Sequence, residues 1–164
     1  MRDTKRASLR QEAEVAAEND GIPNPGSGNG WRHKNDVRSA RFSFECKITQ
    51  KDHYSLKLRE LETAERYAVT DGKLMAFVTD INGRRYYTIS ELTWGELVPE
   101  ESRQQFLFEL HTTNNKSARL DREELHDLET VALAMEREAV LINVIQGHRF
   151  YTMRDYTWHM IRGD

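Results

Sequence analysis

Slid along itself by 64 positions, residues 42–94 fall on residues 106–158 without a gap, and 16 of the 53 pairs are identical. Phe42 meets Phe106, Phe44 meets Phe108, Glu45 meets Glu109 and Thr49 meets Thr113. Leu56, Leu61 and Ala68 meet Leu120, Leu125 and Ala132. The match runs on through Gly83, Arg85, Tyr87 and Thr88 to Trp94, which meets Trp158. Other pairs swap like for like, such as Val78 with Ile142 and Tyr86 with Phe150. An ungapped match that ends on paired tryptophans predicts an internal duplication, and hence a fold built from one supersecondary unit used twice.

The unit itself reads as strand, helix and hairpin. Phe42, Phe44, Cys46 and Ile48 alternate with Ser43, Glu45, Lys47 and Thr49, which puts the two sets on opposite faces of a strand. A shorter strand precedes it from residue 35. Residues 55–71 carry Leu58, Leu61, Ala64 and Ala68 at helical spacing, with Ser55 as the expected N-cap. Lys73–Asp80 and Arg84–Ile89 form a hairpin across Asn82-Gly83. Such units favour an α/β layer architecture, with a mixed sheet in each copy and a helix over one face. About 60 residues make a marginal core alone, so the copies are expected to pack together. Residues 1–98 hold the first copy and its leader, and residues 99–164 the second. Only the first copy is preceded by a helix over residues 4–20 and by a loop with two prolines and three glycines, Ile22 to Gly30.

Composition narrows the class. The single cysteine, Cys46, excludes an intramolecular disulfide and any zinc site built on several cysteines. No apolar run approaches the roughly 18–20 residues of a membrane span, and no apolar segment follows the charged N-terminal residues, so a soluble, cytoplasmic protein is expected. The net charge of −3 at first disfavours a nucleic-acid partner. The stretch 26–59, however, holds eight basic residues (Arg32, Lys34, Arg38, Arg41, Lys47, Lys51, Lys57, Arg59) against Asp36, Glu45 and Asp52. A local field of that sign attracts phosphates even on an acidic protein.

One constellation points to chemistry. Glu45 and Lys47 are two apart on a strand and project from one face. A hairpin with the preceding strand brings Asp36 beside Glu45. Two close carboxylates repel unless a cation lies between them, and Mg²⁺ suits oxygen ligands of this kind. A neighbouring lysine can orient an attacking water and offset charge developing on a phosphate. The opposite face, with Phe42, Phe44 and Cys46, is the one to be buried.

Pro25-Gly26-Ser27-Gly28, then Lys34-Asn35-Asp36-Val37-Arg38, Phe44-Glu45-Cys46-Lys47 and Ser55-Leu56-Lys57-Leu58 resemble the PD-(D/E)XK nuclease superfamily. The nearest branch is the archaeal and phage Holliday-junction resolvase-like endonucleases. The resemblance covers about residues 8–92 and is most specific over 25–47. It implies a restriction-endonuclease-like fold and hydrolysis of DNA phosphodiesters with Mg²⁺ or Mn²⁺. It also implies a branched or junction DNA substrate, a role in phage-type recombination or genome processing, and a homodimer with two sites. Carried over by position, Asp36 and Glu45 are metal ligands, and Lys47 is the water-positioning base. Glu12 is a third acid from the N-terminal helix, with Glu14 as its alternative, and Ser27 lies near the scissile phosphate. Arg32, Lys34, Arg38 and Lys51 are the expected phosphate contacts. The family's Lys-Gly-Asp reads Lys34-Asn35-Asp36 here, a departure that keeps the acid.

The second copy departs where the chemistry sits. Lys47 maps onto His111 and Asp36 onto Glu100, while Glu109 remains. A decayed second copy then acts as a packing partner, and the chain is either a pseudo-dimeric monomer or half of a true homodimer. The competing reading is a non-catalytic nucleic-acid-binding or protein-interaction module on a nuclease-like scaffold. Trp94 and Trp158 are read as packing anchors, Trp31 as a loop residue able to meet DNA, and Cys46 as an inert buried thiol.

Overall fold

The computed structural model describes residues 2–24 and 34–163. The expected positions Ser27, Trp31 and Arg32, and the glycine loop from 25 to 30, lie outside the described residues. Ahead of the repeat come helix α1 (Arg2–Glu18) and two short strands, β1 (Ile22–Pro23) and β2 (Val37–Arg38). The first unit follows as β3 (Phe42–Thr49), β4 (His53–Lys57), α2 (Leu58–Thr70), β5 (Leu74–Ile81), β6 (Arg84–Ser90) and α3 (Glu91–Leu97). After a 3₁₀ turn (Glu100–Gln105) the second unit gives β7 (Phe106–Thr113), β8 (Ser117–Asp121), α4 (Arg122–Ala134), β9 (Glu138–Ile145), β10 (His148–Arg154) and α5 (Asp155–Arg162). Each strand of the second unit begins and ends 64 positions after its counterpart.

Eight strands form one mixed α/β sheet in the order β1-β2-β3-β5-β6-β10-β9-β7. β3 runs parallel to β5 and β7 parallel to β9; the other pairings are antiparallel. The separate sheets expected for the two copies are therefore replaced by a single shared one. Its central ladder joins β6 to β10 with Thr88 opposite Thr152, each the other's counterpart. Their hydroxyls bond at 2.7 Å. The short ribbon β4–β8 repeats this symmetry, pairing Ser55 with Arg119. Its ends close by equivalent bonds, from Leu58 N–H to the Lys116 carbonyl and from Arg122 N–H to the Asp52 carbonyl, each 2.9 Å.

Both faces of the sheet are covered, not one. On one face α2 and α4 pack through Leu58, Leu61, Ala64, Ala68 and Leu125 onto Met75, Phe77, Ile81 and Leu141. On the other, the aromatic side chains cross between units. Trp158 of α5 stacks on Tyr87 at 5.1 Å, and Trp94 of α3 stacks on Tyr151 at 4.4 Å. Trp158 also meets Phe42 and Phe44 edge-on, as Trp94 meets Phe106 and Phe108. Each terminal helix thus seals the strands of the other unit, so neither unit completes its own aromatic core. Aromatic pairs of this geometry stabilise beyond their buried area.

Local chemistry explains most boundaries. Asn82-Gly83 and Gln146-Gly147 close the two hairpins with φ of 45°, 82°, 50° and 85°. Such two-residue turns need left-handed backbone at both positions and so favour glycine. The expected N-cap at Ser55 is corrected: Ser55 lies in β4, and α2 begins at Leu58 after Lys57, which makes no side-chain cap. The apolar spacing of 58–68 is a local signal, but the partner that turns 53–57 into a strand is β8, distant in sequence, with Ser55 opposite Arg119. No described helix is long and apolar enough to cross a membrane.

Candidate functional site

The open edge of β3 is where the candidate residues meet. β2 pairs with β3 through Val37–Phe44 and Arg38–Ser43. Just before that pairing the Asp36 N–H donates to the Phe44 carbonyl at 2.9 Å, so Asp36 and Val37 both oppose Phe44, as at a β-bulge. The Asp36 and Glu45 side chains come within hydrogen-bond reach of each other beside that step. Lys47, two positions on, projects from the same face as Glu45. Asp36 then turns its side chain to the strand edge, where Oδ2 accepts the Cys46 N–H at 2.8 Å.

Asn24 and the described residues around β2 are joined by a small polar lattice. Asn24 N–H donates to the Asp36 carbonyl at 2.8 Å, its side-chain amide to the Asn35 carbonyl at 2.6 Å, and its Oδ1 accepts Arg38 Nη1 at 2.5 Å. Asn35, 1% exposed, donates to Ser43 Oγ and to the Ala64 carbonyl of α2. Asn35 therefore works as a tether between β3 and α2. Gly21 allows α1's exit to pass close to β2; a Cβ there would meet the Arg38 carbonyl oxygen at 2.5 Å.

Helix α1 brings the third acid. Val15 and Ala16 bury against the aromatic face, and Gln11 Nε2 donates to the Lys47 carbonyl at 2.6 Å. The next residue, Glu12, reaches Asp36. Glu14 points elsewhere, to Arg85 at 2.7 Å, in a cluster that also holds Glu18 and Asp80. Of the two α1 glutamates considered, Glu12 is thus the one beside Asp36.

Asp36 is a hub hydrogen-bonded to both neighbouring acids. Burial first, and then the bond to Asp36 and its charge, push the Glu45 carboxyl up to about 9, while the Lys47 ammonium pulls it down. Burial and the Asp36 charge push Glu12 up to about 7. Carboxyls crowded this way hold protons when no cation compensates them. The set is all oxygen donors, which fits a hard divalent ion such as Mg²⁺ or Mn²⁺. Asp36, Glu45 and Glu12 are the residues that would hold it.

Of the expected phosphate contacts, Lys34 and Arg38 are half-buried and Lys51 is exposed at the β3–β4 turn. Sequence reasoning missed Gln11, Tyr54 and Glu60. Tyr54 OH donates to Glu60 at 2.9 Å, and burial, Glu60 and Glu45 hold its proton tightly, which places both beside the site. One signal existed: Glu60 is among the identities, matched by Glu124. Cys46 packs on the aromatic face, and burial pushes its thiol up, away from nucleophile chemistry.

The second unit lacks this edge. Among the described residues no strand flanks β7 on its outer side, and Glu100, the counterpart of Asp36, is exposed in the 3₁₀ turn. Glu109 and His111 keep the strand positions of Glu45 and Lys47.

Comparison with models of known protein families gives no match, and a search of curated proteins gives none either.

Proposed function

We propose that this chain is a divalent-metal-dependent DNA endonuclease of the PD-(D/E)XK type, acting on branched or junction DNA. The observation that carries the reading is Asp36 flanked by Glu12 and Glu45, with Lys47 on the Glu45 face of β3. When bound, Mg²⁺ supplies Lewis-acid stabilisation of the charge that builds on the scissile phosphate. Asp36, Glu12 and Glu45 supply the negative charge that holds it. The Lys47 ammonium hydrogen-bonds the attacking water and offsets charge on the phosphoryl oxygens. Water adds to phosphorus and one P–O ester bond breaks, leaving one phosphate end and one hydroxyl end. Lys34, Arg38 and Lys51, with Arg32, neutralise backbone phosphates without reading bases, as a structure-selective enzyme requires.

The intramolecular β6–β10 ladder supports a further step: the second unit stands in for the partner of a family dimer. One chain then carries one hydrolytic site and one duplicated scaffold half. The role that follows is processing of branched DNA in a cell's cytoplasm, of the kind used in phage recombination.

The test is cleavage of a four-way junction with Mg²⁺, beside linear duplex and single strand, for the wild type and Asp36→Ala. Junction cleavage that Asp36→Ala abolishes is expected. No cleavage on any substrate with Mg²⁺ or Mn²⁺ overturns the reading in favour of a non-catalytic binding module.

A further inference from the structure

In the second unit, the position of the water-positioning lysine is occupied by an imidazole clasped between two carboxylates. His111 Nε2 lies 3.1 Å from Glu124 Oε1 and 3.5 Å from Glu109 Oε2. All three donor atoms lie within 4.8 Å of one another. Two ligand atoms at zinc–nitrogen and zinc–oxygen distances, about 2.0–2.1 Å, lie about 3.3 Å apart at the tetrahedral angle. The two separations from His111 bracket that value. Glu109 and His111 are set two apart on β7, and Glu124 sits in the first turn of α4, so two rigid elements supply the ligands.

A second observation marks the same place. Asn143 of β9 is paired with His111 across the parallel ladder, so it stands beside it on the same face. Asn143 is 2% exposed, and its amide Nδ2 has no hydrogen-bond partner. It lines the same cavity, of about 470 Å³, as His111, Glu124 and Arg119. A buried donor without a partner is costly, and this one belongs to a residue that lines a polar cavity beside His111 and Glu124.

We propose that Glu109, His111 and Glu124 form a second metal site, selective for a borderline ion, Zn²⁺ in particular, over Mg²⁺. One imidazole with two carboxylates suits zinc, whereas the all-oxygen set at Asp36 suits magnesium. Three protein ligands leave a fourth position open to water or to a phosphate oxygen. Each unit then carries its own metal, and the lysine-to-histidine change alters which ion is bound instead of abolishing binding. The inference does not rest on nuclease activity, because metal binding alone reads it.

The experiment is Zn²⁺ titration by calorimetry on the full chain in the Asp36→Asn background, which weakens the first site and retains an acceptor for the Cys46 N–H. One zinc per chain with micromolar or tighter affinity is expected, together with a zinc-dependent rise in melting temperature. Adding His111→Ala should weaken binding at least about tenfold, the smallest loss seen even for outer partners of ligands. It should also remove the melting shift, and Glu124→Gln should act in the same direction. His111 and Glu124 side chains are 44% and 45% exposed, so neither substitution opens the core; circular dichroism checks this. Zinc affinity unchanged by His111→Ala, or no micromolar zinc binding in the Asp36→Asn chain, overturns the proposal.

Discussion

The two units share a scaffold and differ in what they display. Most paired identities fall where side chains pack: Phe42 and Phe106, Leu61 and Leu125, Tyr87 and Tyr151, Trp94 and Trp158 are all buried. The charged edge keeps Glu45 and Glu60 as Glu109 and Glu124 but changes around them. β3 has a flanking strand that carries Asp36 and a helix that carries Glu12, whereas β7 ends the sheet and carries His111. Packing at a two-fold junction constrains both halves at once, because each tryptophan seals the other unit. The outer edge is local, so one half can change its charged side chains without disturbing the other.

The largest effect should separate the edges by activity. Asp36→Asn is expected to lower junction cleavage by at least about a hundredfold, the scale of removing one electrostatic group from a preorganised site. Glu100→Gln, its counterpart, should leave the rate at wild type. Equal losses in initial-rate measurements would erase the asymmetry.

The tryptophans should show the halves bearing nearly equal weight. Trp94→Ala and Trp158→Ala are each expected to cost about 3–5 kcal/mol in urea unfolding. Trp158 should sit at the upper end, because its indole N–H also donates to Asn19 of α1 at 2.8 Å. A difference well beyond one hydrogen bond would mean the halves are not equally interlocked.

Titration sharpens the contrast next. Glu12 and Glu45 are raised in the folded chain, so their protonated forms are favoured there. Their contribution is fully present below the ordinary glutamate range and is lost as pH rises through about 7 and about 9. The metal-free melting temperature should therefore fall between pH 5 and pH 9. Mg²⁺ should restore it most at the alkaline end, and its binding at neutral pH should release protons. A flat profile in chelator, or one unchanged by Asp36→Asn, would remove the carboxyl cluster as its source.

The smallest effect lies on the axis itself. Thr88→Val should cost about 1–2 kcal/mol by stranding the buried Thr152 hydroxyl, and the double change to valine should recover most of it. A double-mutant cycle on urea midpoints measures the coupling, and additive losses would show that the two hydroxyls are not partners.

Much of this was legible along the chain. The 64-residue offset, the Phe42–Ile48 alternation, the apolar face of α2 and the Asn82-Gly83 turn are periodic or local signals, set by backbone sterics and burial of one face. They located β3, α2, β5 and β6 and put Glu45 and Lys47 on a shared face. The Asp36–Glu45 juxtaposition followed from the same hairpin logic. The strand at 53–57, the single shared sheet, and the exchange of Trp94 and Trp158 were not legible. Each is decided by a partner distant in sequence: β8, β10 and the opposite unit's tyrosine. The composition of the His111 cluster lay in the same gap, since Glu124 reaches it only when α4 packs beside β7. Sequence alone thus determined the repeated unit and its inward and outward faces, because periodicity is a property of neighbouring residues. Tertiary structure decided which outward faces meet, because a side chain's long-range partners depend on how whole elements pack.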